Sequence, residues 1–234
     1  MKIAPNMEII DLALYLEKEK ILIIADPHIG LEEALNKQGI LIPHFQYQEM
    51  QKRLKKILDK RKIEKIIING DLKHEFGTIS DQEWRNTLRI LDLCLKYAPV
   101  IIIKGNHDNI AGPIAKKRDV QILNFYKTEN ATITHGDKII KIETEFIIIG
   151  HEHPAITISD GIRTEKYKCF LKGKWKKHQL IVLPSFNLIT EGTNIKRESL
   201  LSPYLQGNLD NFEVYAVEDK IYNFGKLKNI NPNQ

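Results

Sequence analysis

Five short runs of aliphatic residues constrain the fold of this chain more than any other feature of its sequence. They are KILIIAD (20–26), EKIIING (64–70), PVIIIKG (99–105), EFIIIG (145–150) and QLIVLPS (179–185). Runs of this length that are rich in β-branched residues and bounded by Gly, Asp or Pro are typical of strands buried on both faces. They predict a sheet that lies inside the molecule rather than on its surface.

Helical patterns separate the first three runs. Residues 44–61 and 80–97 each repeat apolar side chains along one helical stripe, and the second segment opens with Ser80 and Glu83 at the spacing of a capping box. In the second half of the chain, strands follow one another with turns between them, including a predicted hairpin over 212–227. This order favours an α/β fold with a mixed sheet, or two stacked sheets, and helices outside.

The size of the chain favours one domain. Its 234 residues, 42% of them hydrophobic, suffice for one sizeable core, and we predict a single domain over residues 1–228 with a flexible tail over 229–234. No apolar stretch approaches the roughly 20 residues that cross a bilayer, and the N-terminus lacks the apolar segment of a signal peptide. The expected localisation is therefore cytoplasmic, without a membrane partner, and the oligomeric state is left open.

Asp, Asn or His follows each of five successive predicted strands, namely the first four aliphatic runs and the short strand ATIT (131–134). The residues concerned are Asp26, His28, Asp71, Asn106, His135, His151 and His153. Because ligands bind at the carboxyl ends of strands in open α/β sheets, we expect these side chains to lie together. One such residue alone is more often a turn or structural residue, but five coincidences favour one shared site.

The chemistry of this set points to metal ions. It combines oxygen with imidazole nitrogen and contains no thiolate, which suits Mn, Fe, Zn, Mg or Co. Seven ligands exceed what one such ion takes, but they suit two ions about 3.5–4 Å apart that share a carboxylate. We assign the shared carboxylate to Asp71. Two adjacent cations would keep Asp71 ionised and lower the pKa of a bridging water, which creates a hydroxide nucleophile.

The motifs DPH, GD, GNHD, HGD and GHEHP, in this order between Asp26 and Pro154, resemble the five-block signature of the calcineurin-like metallophosphoesterases. The resemblance implies a four-layer α/β/β/α sandwich of two mixed sheets with outer helices. It also implies two groups of metal ligands that share Asp71: Asp26, His28 and His153 for the first ion, and Asn106, His135 and His151 for the second. The expected cofactors are two divalent ions, manganese first, with Fe, Zn, Mg, Co and Ni as alternatives.

Two further histidines carry implied catalytic roles. By the same resemblance, His107 would contact the scissile phosphate and protonate or stabilise the leaving oxygen. The block GDLKH is similar to that of the Mre11/SbcD-like DNA-repair nucleases, in which the second histidine, here His74, works beside the first. The whole chain resembles the small archaeal SbcD-related phosphoesterases, which are associated with DNA-processing genes.

The expected function is therefore hydrolysis of phosphodiester bonds, in nucleic acid, by a metal-bridging hydroxide, with a DNA-processing protein as a candidate partner. One alternative is a phosphatase or phosphodiesterase that acts on nucleotides or other small phosphoesters. A second is a non-catalytic module that binds a protein partner, although the intact ligand set with His107 argues against it.

Lysines give a weaker indication of the substrate. The formal net charge of +5 favours polyanionic partners, and residues 163–178 alternate lysines with aromatic residues in a pattern that suits a phosphate backbone. The substrate-binding candidates are Lys172, Lys174, Lys176 and Lys177, if this segment returns near the metals. The same pattern suits an amphipathic hairpin whose lysines are merely solvated, so both interpretations stay open.

Overall fold

The computed structural model describes residues 1–42, 46–74, 80–108, 112–159 and 163–230. Within these ranges the first sheet has seven strands in chain order: β1 (Lys2–Ala4), β2 (Met7–Ile10), β3 (Ala13–Leu16), β4 (Ile21–Ala25), β5 (Lys65–Asn69), β6 (Val100–Ile103) and β7 (Gln121–Leu123). Strands β1 to β4 pair antiparallel, and β4 to β7 pair parallel. The sheet is therefore mixed, and its parallel half carries three of the predicted aliphatic runs.

The α-helices described lie in the connections of this parallel half. They are α1 (Leu31–Lys37), α2 (Gln46–Leu58), α3 (Asp81–Leu95) and α4 (Gly112–Lys116). Both predicted helices are confirmed, although residues 44 and 45 lie outside the described residues. Ser80 caps α3 by accepting a 3.1 Å hydrogen bond from the Glu83 backbone N–H. The Glu83 carboxylate accepts a hydrogen bond from the backbone N–H of His74 and so serves a different loop.

The second sheet contains the remaining strands: β8 (Phe125–Lys127), β9 (Ala131–Thr134), β10 (Phe146–Ile149), β11 (Pro154–Ser159), β12 (Thr164–Trp175), β13 (His178–Val182), β14 (Thr193–Asn194), β15 (Glu213–Val217) and β16 (Ile221–Lys226). Strands β9, β10 and β13 run parallel, whereas β12 is antiparallel to β11, β13 and β15. The predicted hairpin over 212–227 is the pair β15–β16. The expected pair of mixed sheets is confirmed.

Alternating side chains of the second sheet serve two cores. Phe146, Ile148 and Ile181 belong to the large core shared with the first sheet. Ile147 and Ile149 point the other way into a second core, which residues 195–212 and a 3-10 turn at Leu227–Asn229 cover. Because successive residues of a strand face opposite sides, one sheet can separate two apolar layers. Among the described residues, this outer cover is irregular chain rather than α-helix.

Two parts of the fold differ from the sequence expectation. Strands β1 to β3 were not predicted, and β7 and β8 intervene between the third and fourth site-bearing strands, so those five strands are not successive. Of the predicted tail, Asn229 ends the 3-10 turn and Ile230 is buried in the second core, while residues 231–234 lie outside the described residues. Within the described ranges no helix combines the length and the apolar character that crossing a bilayer requires.

Candidate metal centre

The carboxyl ends of the two sheets meet at one place. Asn69, the last residue of β5, donates its side-chain amide to the Thr134 carbonyl at the end of β9, at 3.0 Å. At the end of β4, the backbone N–H of Phe186 donates to the Ala25 carbonyl at 2.7 Å. The predicted strand ends of both sheets therefore converge on a single edge.

The backbone is strained where the predicted ligands stand. Five non-glycine residues at this edge adopt left-handed φ angles between +30° and +62°: Asp26, His28, Asp71, His151 and His153. Such conformations cost about 1–3 kcal/mol each and persist where the surrounding structure enforces them. Their concentration at one edge indicates that the loops are shaped for a site rather than for stability.

Three glycines let the loops approach one another. A side-chain methyl on Gly70 would overlap the ring of His135, and one on Gly105 would overlap the carboxylate and backbone of Asp71. A methyl on Gly150 would lie 2.5 Å from Asp26 Oδ2. The glycine that precedes Asp71, Asn106 and His151 in each motif is therefore required by close packing around the carboxylates.

The first cluster gathers Asp26, His28, Asp71 and His153. His153 Nε2 lies 3.4 Å from His28 Nε2 and 3.4 Å from Asp26 Oδ2. His28 Nε2 also lies 3.7 Å from Asp71 Oδ2. Two ligand atoms that bind one ion at about 2.1 Å, at angles of about 90–109°, are about 3.0–3.4 Å apart. The spacing of this cluster is thus close to the edges of a single coordination polyhedron.

The second cluster gathers Asp71, Asn106, His135 and His151. His135 Nε2 lies 2.9 Å from Asn106 Oδ1, 3.1 Å from His151 Nδ1 and 3.6 Å from Asp71 Oδ2. The ligand atoms of Asp71, His135 and His151 all lie within 4.8 Å of one another. The structure therefore brings together all seven predicted ligands, in two clusters that both contain Asp71.

The negative charges of the Asp26 and Asp71 carboxylates favour the binding of cations. Burial and the negative charge of Asp26 raise the pKa of Asp71 to about 7. Burial would lower the pKa of His135, but the Asp26 carboxylate, whose Oδ1 lies 3.3 Å from His135 Nδ1, raises that pKa to about 9. Burial together with neighbouring imidazoles lowers the pKa of His28 to about 2 and that of His151 to about 4. These two rings are neutral at pH 7, as metal binding requires, and the donor set fits two divalent ions.

Comparison with known proteins agrees with this geometry. Residues 19–196 match the sequence model of a family described as calcineurin-like phosphoesterase. The chain belongs to this family. It is thus a metal-dependent hydrolase of phosphoester bonds. The crystal structure of the nuclease MPE from Pseudomonas putida is similar over 92% of this chain and 92% of that chain, with 23% sequence identity and a TM-score of 0.66. At that identity the likeness shows a shared fold.

Both predicted catalytic histidines of the phosphoesterase lie beside the first cluster. The ligand atoms of His28, His74 and His107 fall within 4.8 Å of one another. His107 Nδ1 donates a 2.7 Å hydrogen bond to the His74 carbonyl, and its backbone N–H donates to Asp71 Oδ1 at 2.9 Å. The other ring nitrogen, Nε2, lies 3.9 Å from Asp71 Oδ2. Burial lowers the pKa of His107.

Two residues whose role in the site the sequence did not predict, Glu83 and Lys168, hold loops of the centre. Glu83, 1% exposed, accepts the backbone N–H of His74 at 3.0 Å and so ties helix α3 to that loop. Lys168 donates to the carbonyl oxygens of Ser185 and Asn187, at 3.0 and 2.5 Å. Burial lowers the pKa of Lys168 to about 7. A charged residue within a helix or strand gives no sequence signal of such a role, because it is usually solvated.

The loop that Lys168 holds in turn supports the first cluster. The Ser185 hydroxyl donates to the Asp26 carbonyl at 2.7 Å, and the Asn187 amide donates to the Pro27 carbonyl at 3.1 Å. Loss of hydrogen bonds that orient metal ligands typically costs about 10–100-fold in metal affinity or activity. Lys168 is therefore linked to the Asp26–His28 segment through one intervening loop.

Three of the four lysines predicted to border the site lie at or near the hairpin end of strand β12: Lys174, Lys176 and Lys177. The fourth, Lys172, lies opposite Ile181, nearer the other end of β13. Because β12 is antiparallel to β13, Trp175 pairs with His178 at the start of β13, whereas the metal loops follow the strand ends at the other side. Four residues of strand separate these ends by about 13 Å. Lys172 contacts Glu213 at 3.4 Å, and Lys176 lies over the Trp175 ring. The solvated-face interpretation fits this geometry.

Proposed function

We propose that this phosphoesterase hydrolyses phosphodiester bonds in nucleic acid at a dinuclear metal centre. The observation that carries the proposal is the position of one oxygen atom. Asp71 Oδ2 lies 3.7 Å from His28 Nε2 in the first cluster and 3.6 Å from His135 Nε2 in the second. A single carboxylate oxygen between two ligand clusters is the arrangement that a pair of bridged ions requires.

The proposed ligands follow from the two clusters. Asp26, His28 and His153 would hold one ion, and Asn106, His135 and His151 the other, with Asp71 shared. When bound, such ions supply Lewis acidity and lower the pKa of a water to near neutrality, which gives a nucleophile for in-line displacement at phosphorus. Mn²⁺ is the first ion to test, because mixed oxygen and imidazole sets accept it readily.

Side chains of the protein itself would position the substrate phosphate and protonate the leaving oxygen. The His74 carbonyl holds His107 Nδ1 as a donor, so the ring presents Nε2 toward Asp71 and the substrate phosphate. From there His107 would donate a hydrogen bond or a proton to the leaving oxygen. The ring of His74 stacks on that of His107 with 5.6 Å between centroids and would restrict its orientation.

Nucleic acid is the substrate class that we favour. The GDLKH block resembles that of the SbcD-like nucleases, and the net charge of +5 favours a polyanion. The protein of known structure with a similar fold is called a nuclease in its title. Phosphate monoesters of small molecules are the alternative that an experiment must separate.

The test compares three substrates in the presence of Mn²⁺: bis(p-nitrophenyl) phosphate, p-nitrophenyl phosphate and an end-labelled oligonucleotide. We expect turnover of the diester and of the oligonucleotide, and its loss with a chelator and in Asp71→Asn. Turnover of the monoester alone would identify a phosphatase. Full metal binding without turnover of any substrate would identify a binding module instead.

A further inference from the structure

A cavity of about 590 Å³ opens beside the first metal cluster. It is bounded by the Pro27–Ile29 segment, by residues from helices α1, α2 and α3, and by residues 187–189. His28 and Glu83 both lie in its wall, and Glu83 holds the backbone of His74. Its volume falls within the range of about 300–1,000 Å³ that is usual for small-molecule sites. Any ligand in this cavity would therefore adjoin a phosphate at the metal centre.

The lining of the cavity is rich in uncharged amides. These side chains are Gln46, Gln48, Gln51, Gln82, Asn86 and Asn187. Each amide offers both donors and an acceptor. Tyr47 adds an aromatic ring, and burial raises its pKa to about 12, so the phenol stays neutral. Amides beside an aromatic ring are the groups that recognise the edge and the face of a nucleobase.

The charges of the wall argue against a second phosphate in the same cavity. Glu32, Glu33 and Glu83 line it, and among the described residues of the lining the one cationic side chain is Arg89, which is exposed. An additional anionic group would meet an excess of carboxylates, which disfavours like charge. The cavity thus suits the neutral portion of a phosphoester and not its charged backbone.

Some of these polar groups already have structural partners. Asn187 donates to the carbonyl oxygen of Pro27, and the Tyr47 hydroxyl donates to the carbonyl oxygen of Asn86 at 3.0 Å. The Gln82 amide is also engaged, since it donates to Asn86 Oδ1 at 3.0 Å and accepts from Arg85 at 3.3 Å. The half-buried Tyr47 ring and the amide of Gln46, the first residue of helix α2, are then the groups placed to meet a ligand.

We infer that this cavity binds the nucleoside that is esterified to the scissile phosphate. The inference rests on the proposed function, which places that phosphate at the metal centre. The chemical class recognised is a neutral nucleobase with its sugar. A substrate that carries a nucleoside next to the reacting phosphate should therefore be preferred over one that carries an aryl group there.

The experiment uses two diesters with the same leaving group. One is bis(p-nitrophenyl) phosphate, and the other is the p-nitrophenyl ester of thymidine 5′-monophosphate. For the wild-type protein with Mn²⁺, we expect kcat/KM to be about tenfold or more higher for the nucleoside ester, in line with the contribution of one stacked base. Equal or lower kcat/KM for the nucleoside ester would overturn the inference.

Variants then locate the effect. Tyr47→Ala should lower the ratio of the two kcat/KM values about tenfold, whereas Tyr47→Phe, which keeps the ring, should retain most of it. Gln46→Ala changes the first residue of helix α2 and should also lower the ratio. It therefore tests the assignment even if Tyr47→Ala fails to fold. Gln121 is the exposed first residue of strand β7. Gln121→Ala is therefore the matched control and should leave the ratio unchanged. Ratios that stay at the wild-type value in both Tyr47→Ala and Gln46→Ala would refute the assignment.

Binding in the absence of metal separates this inference from the proposed function. Thymidine carries no phosphate, so its binding to the metal-free protein, measured by NMR titration, reports on the cavity alone. Binding that Gln46→Ala weakens supports the cavity assignment even if no diester is turned over. Turnover of bis(p-nitrophenyl) phosphate without thymidine binding or a nucleoside preference would retain the proposed function and reject the cavity assignment.

Discussion

Replacing Gly105 by alanine tests how the metal centre is held together. The new methyl would overlap Asp71 Oδ1 and the Asp71 backbone nitrogen. Asp71 is 2% exposed, and its Oδ1 already accepts the His107 N–H at 2.9 Å. The backbone N–H of Gly105 itself donates to Asp108 Oδ2 at 3.0 Å. Because a backbone atom is among those overlapped, a side-chain rotation cannot relieve the clash.

The magnitude follows from the displacement that the methyl requires. Real Cβ atoms do not approach other heavy atoms closer than 3.0 Å, so the Asp71 loop and the Gly105 loop must separate by about 1 Å. A shift of about 1 Å in a positioned group costs about 10²-fold in rate, and overpacking of this kind costs about 1–3 kcal/mol of stability. Since Asp71 is the carboxylate common to both clusters, we expect the content of both ions to fall together.

The assay measures kcat/KM on bis(p-nitrophenyl) phosphate with Mn²⁺, bound metal by elemental analysis, and the free energy of unfolding in urea. Gly207→Ala is the control, because a methyl there meets no atom within 4 Å, and it should change stability by no more than about 0.5 kcal/mol. Wild-type metal content and rate in Gly105→Ala would refute the reasoning. The position of Asp71 would then not depend on the Gly105 loop. The proposal that Asp71 Oδ2 is shared by two ions would lose this argument.

Three further changes probe separate parts of the site. Asp71→Asn should lower the content of both ions, because it removes the shared anion, and elemental analysis that finds only one ion lost would contradict the bridge. His107→Ala should keep its bound metal and lose about 10²–10⁴-fold in the rate of oligonucleotide hydrolysis. The loss should be smaller on nitrophenyl diesters, because their leaving group needs no proton. Equal losses on both substrates would argue against proton donation. Burial lowers the pKa of Lys168 from 10.5 to about 7, so between these values the unfolded chain binds the extra proton and the free energy of unfolding rises with pH. Lys168→Met should lose that rise in urea unfolding at pH 7 and pH 9.5, while Lys174→Met on the same strand should retain it, and a rise that persists in Lys168→Met would show that Lys168 is not its source.

The strands that bear the site were predictable because their signals are local. Each aliphatic run is long enough to be buried on both faces, and the structure buries every residue of strands β4, β6 and β10. The polar residue that follows each run needs no knowledge of the fold to be noticed. Their convergence follows from one general rule, that the carboxyl ends of parallel strands share an edge. Residue types and strand order were therefore sufficient to predict that these side chains lie together.

Features that depend on strand direction or on turns were not predictable. Residues 7–16 are mostly apolar, but a turn with a left-handed residue at Asp11 folds them into two antiparallel strands. A short apolar stretch does not reveal whether its period is that of a strand or of a helix. The position of the predicted lysines depends on similar information, since the sense of β12 decides which end of the sheet each of them reaches.

The two sheets contribute different chemistry to the centre. Both carboxylates, Asp26 and Asp71, follow strands of the first sheet, whereas His135, His151 and His153 follow strands of the second. The backbone N–H of His151 donates to Asp26 Oδ2 at 2.7 Å, so the sheets are joined through a ligand itself. Alone, the first sheet would hold two repelling anions, and the second would hold imidazoles without an anion to complete an ion's coordination. Packing of the sheets against each other is therefore what creates the centre, which explains why Gly70 and Gly150 stand where loops of the two sheets approach and why strained residues follow them.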